Sequence, residues 1–312
     1  MSGRARWALG WLAGLHAIVL AAGFLAPYPY DEQHREAAYA APMGVHWSWS
    51  KPFGPYVYGS ADQPGQRFAV RFLVHGRLFG VDPPGLIFLL GSDGYGRDEF
   101  SRVLYGGQVS LLTGLLAAAL ALALGVALGT AAGYFGGWVD GLLMRSGELV
   151  MAAPWLYLLL GVRALLPLHI SAVETFGLLI AIIGGVGWVR PARVVRGVVL
   201  GARESGYVEA ARGFGAGPWH VIRRHILPAT LPVTATQATV LIPQYILAEV
   251  ALSFLGFGVG EPVPSWGNML SEARQYHSLL EHPWLLAPGL AAIPILLGYL
   301  TLADALADGG EG

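Results

Sequence analysis

Asp93 and Asp98, in G-S-D-G-Y-G-R-D-E-F, invite comparison with the paired carboxylates of acid–base enzymes. A quieter role accounts for each. Asp93 lies in a glycine turn, where an Asx side chain satisfies its own backbone. Asp98 stands where a helix begins, favoured there by the helix dipole, and is placed to pair with Arg102 four residues on. The nine histidines are scattered, and His220 and His225 are five apart, the wrong spacing for an H-E-x-x-H helix face. No G-x-S-x-G is present. The absence of cysteine excludes disulfides, iron–sulfur clusters and thiol nucleophiles. Lys51 is the only lysine among 19 Lys and Arg residues, and it sits in S-W-S-K-P. The chain therefore has no G-x-x-x-x-G-K-[ST] phosphate loop, and if ATP drives it, a partner binds the ATP. Glu249 remains, the one carboxylate deep in a long apolar run. Either it lines or supports a route across a membrane, or it is a hydrogen-bonding group between helices. A proton-coupled secondary transporter and an intramembrane enzyme, both using Glu249, are the rival readings.

The elements that would position these residues are membrane spans. The 312 residues are 54% hydrophobic and only 12% charged, against about a quarter charged in soluble domains, and mean hydropathy is +0.53. A net charge of −1 gives no case for nucleic acid. Residues 1–27 read as an anchor helix. The apolar run Trp7 to Ala26 follows Arg4 and Arg6, and an uncleaved signal anchor fits it better than a cleaved signal peptide. Residues 28–108 are polar and rich in Pro, Tyr and Trp. They read as a small extracytoplasmic lobe with strands at Gln66 to Val74 and Leu86 to Leu90, ending in an interfacial helix whose apolar face is Phe100, Val103 and Leu104. Residues 109–306 hold five further spans, Val109 to Gly133, Leu142 to about Leu166, Val173 to Val189, Thr230 to Gly258 and Trp284 to about Ala305, and 307–312 form a tail. In the first of these, Ala117, Ala121, Gly125, Gly129 and Gly133 recur every four residues, a small-residue stripe that lets helix backbones approach closely. In the fourth, Gln237, Pro243, Gln244 and Glu249 interrupt the apolar run, as positions facing a bundle interior or a pathway do.

Between two of these spans lies a stretch of another kind, Tyr207 to Pro228, within a loop at 200–228. Tyr207 to Arg212 reads as a short helix ended by Gly213, Gly215 and Gly217. Pro218 opens a second helix that is expected to stop at Pro228. The result is a rigid knuckle outside the bilayer.

These residues also carry a resemblance. Glu209-Ala210-Ala211, Gly215 and Leu227-Pro228 are similar in type and spacing to the EAA loop of bacterial ABC-importer permeases, with His225 where the pattern has Ile. Gly91 to Arg102 resembles the G-T-D-x-x-G-R-D-x-x-S-R segment of the dipeptide/oligopeptide/nickel branch, with Ser92 for Thr. Leu247 to Gly258 and Pro264-Ser265-Trp266-Gly267-Asn268-Met269-Leu270 resemble that branch's L-A-E-A-A-L-S-F-L-G-x-G and P-S-W-G-N-M-L. On these four matches, spanning about 91–305, the chain is identified as a member of that family, nearest to its second, C-type permease. The resemblance implies an all-α membrane fold of six transmembrane helices, the type I importer permease, here with the β-containing lobe between helices 1 and 2. It implies a homologous second permease, two ABC ATPase subunits that hold ATP and Mg, an extracytoplasmic solute-binding protein, and no cofactor on this chain. It also implies alternating access, carrying a peptide-like or nickel-chelate solute. In it, Glu209 contacts the ATPase, Ala210 and Ala211 permit close packing, and Gly215 makes the elbow.

Topology agrees independently. Six spans starting inside a bacterial inner membrane place both termini and the knuckle in the cytoplasm. Short segments on that side carry Arg4, Arg6, Arg145, Arg190, Arg193, Arg196, Arg203, Arg212, Arg223 and Arg224, whereas short outer segments carry Arg163 and Arg274.

Overall fold

A computed structural model describes residues 2–49, 53–59, 65–74, 76–165, 167 and 170–308. The expected end of the third span at Leu166 and most of the 307–312 tail lie outside the described residues. The helices, in chain order, are α1 (Gly3–Leu20), α2 (Ala22–Leu25), α3 (Glu99–Phe135), α4 (Gly137–Ala152), α5 (Trp155–Ala164), α6 (Ala172–Gly187), α7 (Val189–Arg203), α8 (Gly206–Gly213), α9 (Pro218–Val221), α10 (Leu227–Phe254), α11 (Trp266–Glu272), α12 (Tyr276–Glu281) and α13 (Ala287–Asp308). Between α2 and α3 lie β1 (His46–Ser48), β2 (Gly54–Tyr58), β3 (Arg67–Val74) and β4 (Arg77–Val81), an antiparallel meander in the order β1-β2-β3-β4.

Among the described residues three helices are long and apolar enough to cross a membrane: Glu99–Phe135, Pro218–Phe254 and Pro283–Ala307. Two bent pairs raise that to five if each is one span: α4 with α5, bent by 92°, and α6 with α7, bent by 43°. Pro154 explains the sharper bend, because its ring cannot continue the helix that ends at Ala152.

The chain divides into two compact units. One comprises residues 1–8, 113–249 and 299–312. Its organising contact is the small-residue stripe of α3, which packs within the same chain. A methyl at Gly125 would meet Pro191, one at Gly129 would lie 2.5 Å from the Ala192 carbonyl oxygen, and one at Gly133 would meet Val199. The stripe is thus the groove that receives α7. Asp140 of α4 accepts two hydrogen bonds of 2.5 Å from the Arg196 guanidinium of α7, a bidentate pair that fixes those helices side by side.

The other unit comprises residues 9–112 and 250–298. Its lobe has a core of Val57, Val70 and Ile87, closed by Tyr28, Phe68, Phe79, Val81 and Leu89. The expected strand at Gln66 to Val74 is β3. Leu86 to Leu90 is not a strand. Its apolar side chains plug the face of the sheet, with Ile87 and Phe88 fully buried, while the Ile87 N–H donates to the Tyr28 hydroxyl and the Phe88 carbonyl accepts from Met43 N–H. An apolar run of that length is compatible with either role, so periodicity alone does not separate them.

Two further expectations are corrected. The interfacial helix at 99–108 and the span after it are one helix, α3, since Gly106 and Gly107 are not breaks. They let Met269 and Trp266 pack against the backbone. The second knuckle helix does not stop at Pro228. It runs on as α9 and α10 through a π turn at Ile222–Ile226, in which Leu227 N–H reaches the Ile222 carbonyl. The wider turn absorbs the missing proline N–H that would end a regular α-helix.

Candidate functional sites: an exposed knuckle and a cavity at broken helices

The knuckle is built from the inside outward. Val208 of α8, Val221 of α9 and Ile226 of the π turn are fully buried against Val195 and Val199 of α7. At the end of α8, Ala216 N–H bonds the Ala211 carbonyl and Gly215 N–H bonds the Arg212 carbonyl. Gly215 stands at φ +84°. This is a Schellman closure with glycine in the left-handed position, so of the three glycines Gly215 carries the elbow, while Gly213 is the last helical residue and Gly217 precedes α9. The outer face is bare. Glu209 and Ala210 are exposed, as are Arg212, Phe214 at 93% and Trp219 at 71%. Ala211, Phe214, Gly215, Ala216, Gly217 and His220 line a shallow depression. Among the described residues no ion pair involves Glu209, Arg212, Arg223 or Arg224. Leu227 and Pro228 lie just past the π turn, where α10 begins.

Asp93 and Asp98 behave as local structure requires. Asp93 Oδ1 accepts from Tyr95 N–H at 2.8 Å and Arg97 N–H at 2.9 Å. Asp98 Oδ2 accepts from Ser101 N–H at 2.8 Å and Ser101 Oγ at 2.6 Å, starting α3. Arg102, however, does not turn to Asp98. Its guanidinium lies 3.0 Å from Glu261 and 3.4 Å from Asp93, and Arg97 bridges Asp93, Glu261 and Glu272. Glu261 comes from a distant loop and outcompetes the local i,i+4 partner. The neighbouring P-S-W-G-N-M-L stretch is also structural. Ser265 and Asn268 cap α11 reciprocally, and the buried Trp266 indole donates to the Val103 carbonyl at 2.9 Å.

A cavity of about 240 Å³ lies among Val150 to Trp155, Val186 to Arg190, Gln244 and Tyr245. It forms where both bent pairs break and where α10 carries Pro243. Broken backbone at membrane depth is tolerated where it is buried in protein or lines a water-filled cavity. Trp155 and Tyr245 stack at 5.9 Å with planes 15° apart, and the Tyr245 hydroxyl donates to the Gly187 carbonyl at 3.1 Å. A methyl at Gly187 would overlap the Tyr245 ring. Of the pathway candidates, Gln244 lines this cavity. Glu249 is fully buried on α10 and is not among the lining residues, and Gly125, Gly129 and Gly133 pack against α7. Sequence reasoning missed Trp155, Tyr245 and Arg190. The signal was available in Pro154 and Pro243, which interrupt apolar runs next to the lining residues Trp155 and Gln244.

Residues 125–309 match the family of binding-protein-dependent transport system inner membrane components. The chain belongs to this family. It is the multi-pass inner-membrane permease component of an ABC importer. Similar proteins include a putative peptide transport system permease of Brucella suis biovar 1, 41% identical over 72% of this chain and 74% of its own length. A putative peptide permease of Brucella ovis is 36% identical over 70% of each chain. The glutathione transport system permease GsiD of Shigella dysenteriae serotype 1 is 38% identical over 72% of this chain and 71% of its own. The MetNI methionine ABC transporter, in an inward-facing crystal form, aligns with TM-score 0.47 and 16% identity over 66% of this permease and 97% of that chain.

Proposed function

We propose that this permease passes a peptide-like solute, or a nickel chelate, from an extracytoplasmic binding protein to the cytoplasm by alternating access. It works with a homologous second permease and two ATPase subunits that bind ATP and Mg. The observation that carries this is the knuckle, an internally anchored element whose outer face leaves Glu209, Phe214 and Trp219 exposed. Such an element transmits force if it docks. Glu209 is the polar contact to the ATPase, Ala210 and Ala211 allow close approach, and Gly215, Leu227 and Pro228 set the angle at which the knuckle meets α10. ATP closes the ATPase pair, the knuckle moves with it, and the broken spans around the cavity reorient. In this reading α1 is a sixth span, both termini are cytoplasmic and the β lobe is extracytoplasmic. The peptide-like solute rests on the names of the relatives.

The test is Glu209→Lys in the whole transporter. Uptake and binding-protein-stimulated ATP hydrolysis are lost while the permease stays in the membrane at its normal level; full uptake by the variant overturns the coupling role. Glu249→Gln separates this from a proton-coupled rival. Near-normal uptake is expected here, and abolished uptake with intact ATPase coupling favours the rival.

A further inference from the structure

The cavity at the broken helices has a one-sided chemistry. No carboxylate lines it, and its single charged lining group is the Arg190 guanidinium. Arg190 forms no ion pair among the described residues. On the same lining the Trp155 indole Nε1–H is buried with no acceptor among the described residues, and Gln244 adds an amide. On the same wall the Gly187 carbonyl accepts from the Tyr245 hydroxyl. The buried, unanswered Trp155 N–H carries a standing desolvation cost, whereas Arg190 is exposed and stays hydrated. An anionic oxygen entering the cavity would answer the indole and meet the planar guanidinium, which binds such a group best. The remaining walls, Val150, Met151, Val186, Val189 and the stacked Trp155–Tyr245 pair, accept an apolar body behind that anion.

We infer that this cavity is a carboxylate-binding station on the solute route, with Arg190 as the charge partner, Trp155 Nε1–H and Gln244 as additional donors, and the aromatic pair as a platform for an apolar side chain. The inference rests on the proposed solute path and adds to it a selection step inside the permease, distinct from whatever the binding protein selects.

The chain contains no cysteine, so Met151→Cys in the assembled transporter places one thiol of this chain in the cavity wall. Its modification is followed by the intact mass of this chain, using a sulfonate-bearing and a trimethylammonium-bearing methanethiosulfonate, each rate divided by that of free cysteine. The sulfonate reagent is expected to react about tenfold faster than the cationic one, as one charge-assisted contact implies, and Arg190→Gln is expected to remove that preference while Arg190→Lys keeps part of it. Millimolar dialanine protects the thiol and its C-terminal amide does not, and Trp155→Phe weakens the protection. Equal rates for the two reagents, a preference that survives Arg190→Gln, or no modification by either reagent overturns the station. Failure of the peptide reading is scored separately, as absence of uptake of any member of a dipeptide library by the unmodified transporter.

Discussion

Two charged regions of this permease use the same residue types to opposite ends. In the segment 93–102 with Glu261 and Glu272, charge is turned inward. Asp93, Arg97, Asp98, Glu99 and Arg102 are almost wholly buried, and the two arginines join carboxylates from separate stretches. In the knuckle, charge is turned outward, and Glu209, Arg212, Arg223 and Arg224 meet no counter-ion among the described residues. Buried charge must be paired to be tolerated, and breaking such a pair is costly whether or not the pair itself stabilises. Exposed charge contributes little to the fold, so a bare acidic residue on a rigid, anchored elbow is best explained by something that docks on it. Both regions fall on stretches that resemble the family pattern, and only the disposition of the side chains separates a structural knot from a contact surface.

The largest effect expected from that contrast is in the buried knot. Arg102→Met leaves Glu261 and Asp93 without one of their two cations. It is expected to destabilise the permease by about 3–5 kcal/mol, seen as reduced abundance in the membrane and a lower melting temperature of the purified transporter. A variant with normal abundance and melting would show that the knot is not structural. Glu209→Lys is the converse. Its effect on melting stays within about 0.5 kcal/mol, as for most surface substitutions, while transport is lost. Should both variants reduce abundance equally, the distinction between inward and outward charge fails.

Much of the architecture was legible in the sequence. The mostly helical, membrane-type character of the chain, the small-residue stripe, the turn at Asp93 and the elbow at Gly215 follow from local rules of periodicity and glycine geometry. The partners of Arg102 did not, because Glu261 is 159 positions away and no local rule reaches it. The passage of the helix through Pro228 was hidden for a different reason: a π turn depends on what the flanking residues bury, and Val221, Ile222 and Ile226 are held under α7. The cavity was hidden because it is assembled from two separated helix breaks and the Pro243 stretch of α10, each of which reads as a mere kink in its own span.

A smaller effect sharpens the elbow. Gly215 at φ +84° has nothing near its would-be Cβ, so Gly215→Ala meets only the backbone cost of a left-handed alanine, roughly 1 kcal/mol. The fold is expected to survive it. The angle of α8 is expected to loosen, raising the ATP hydrolysed per solute taken up. An unchanged ratio would mean that the elbow needs no glycine to transmit force.

The last effect returns to the buried knot and is a matter of pH. Burial pushes the Asp98 carboxyl up to about 7, against the lowering effect of its hydrogen bonds from Ser101. Burial and then the charge of Asp93 push Glu272 up to about 7, against Arg102 and Arg97. Unfolded carboxyls titrate near 4. Between about pH 4 and pH 7 the folded form therefore holds protons that the unfolded chain has released, and stability from these groups falls as pH rises through that window. One such group changes stability by on the order of 1 kcal/mol per pH unit there. Asp98→Asn keeps an oxygen for Ser101 and removes the titration, so its melting temperature is expected to fall less steeply between pH 5 and pH 7 than that of the unaltered transporter, the two differing most at the upper end. Parallel pH profiles for Asp98→Asn and the unaltered transporter would place the protons elsewhere and remove the last distinction drawn between the two charged regions.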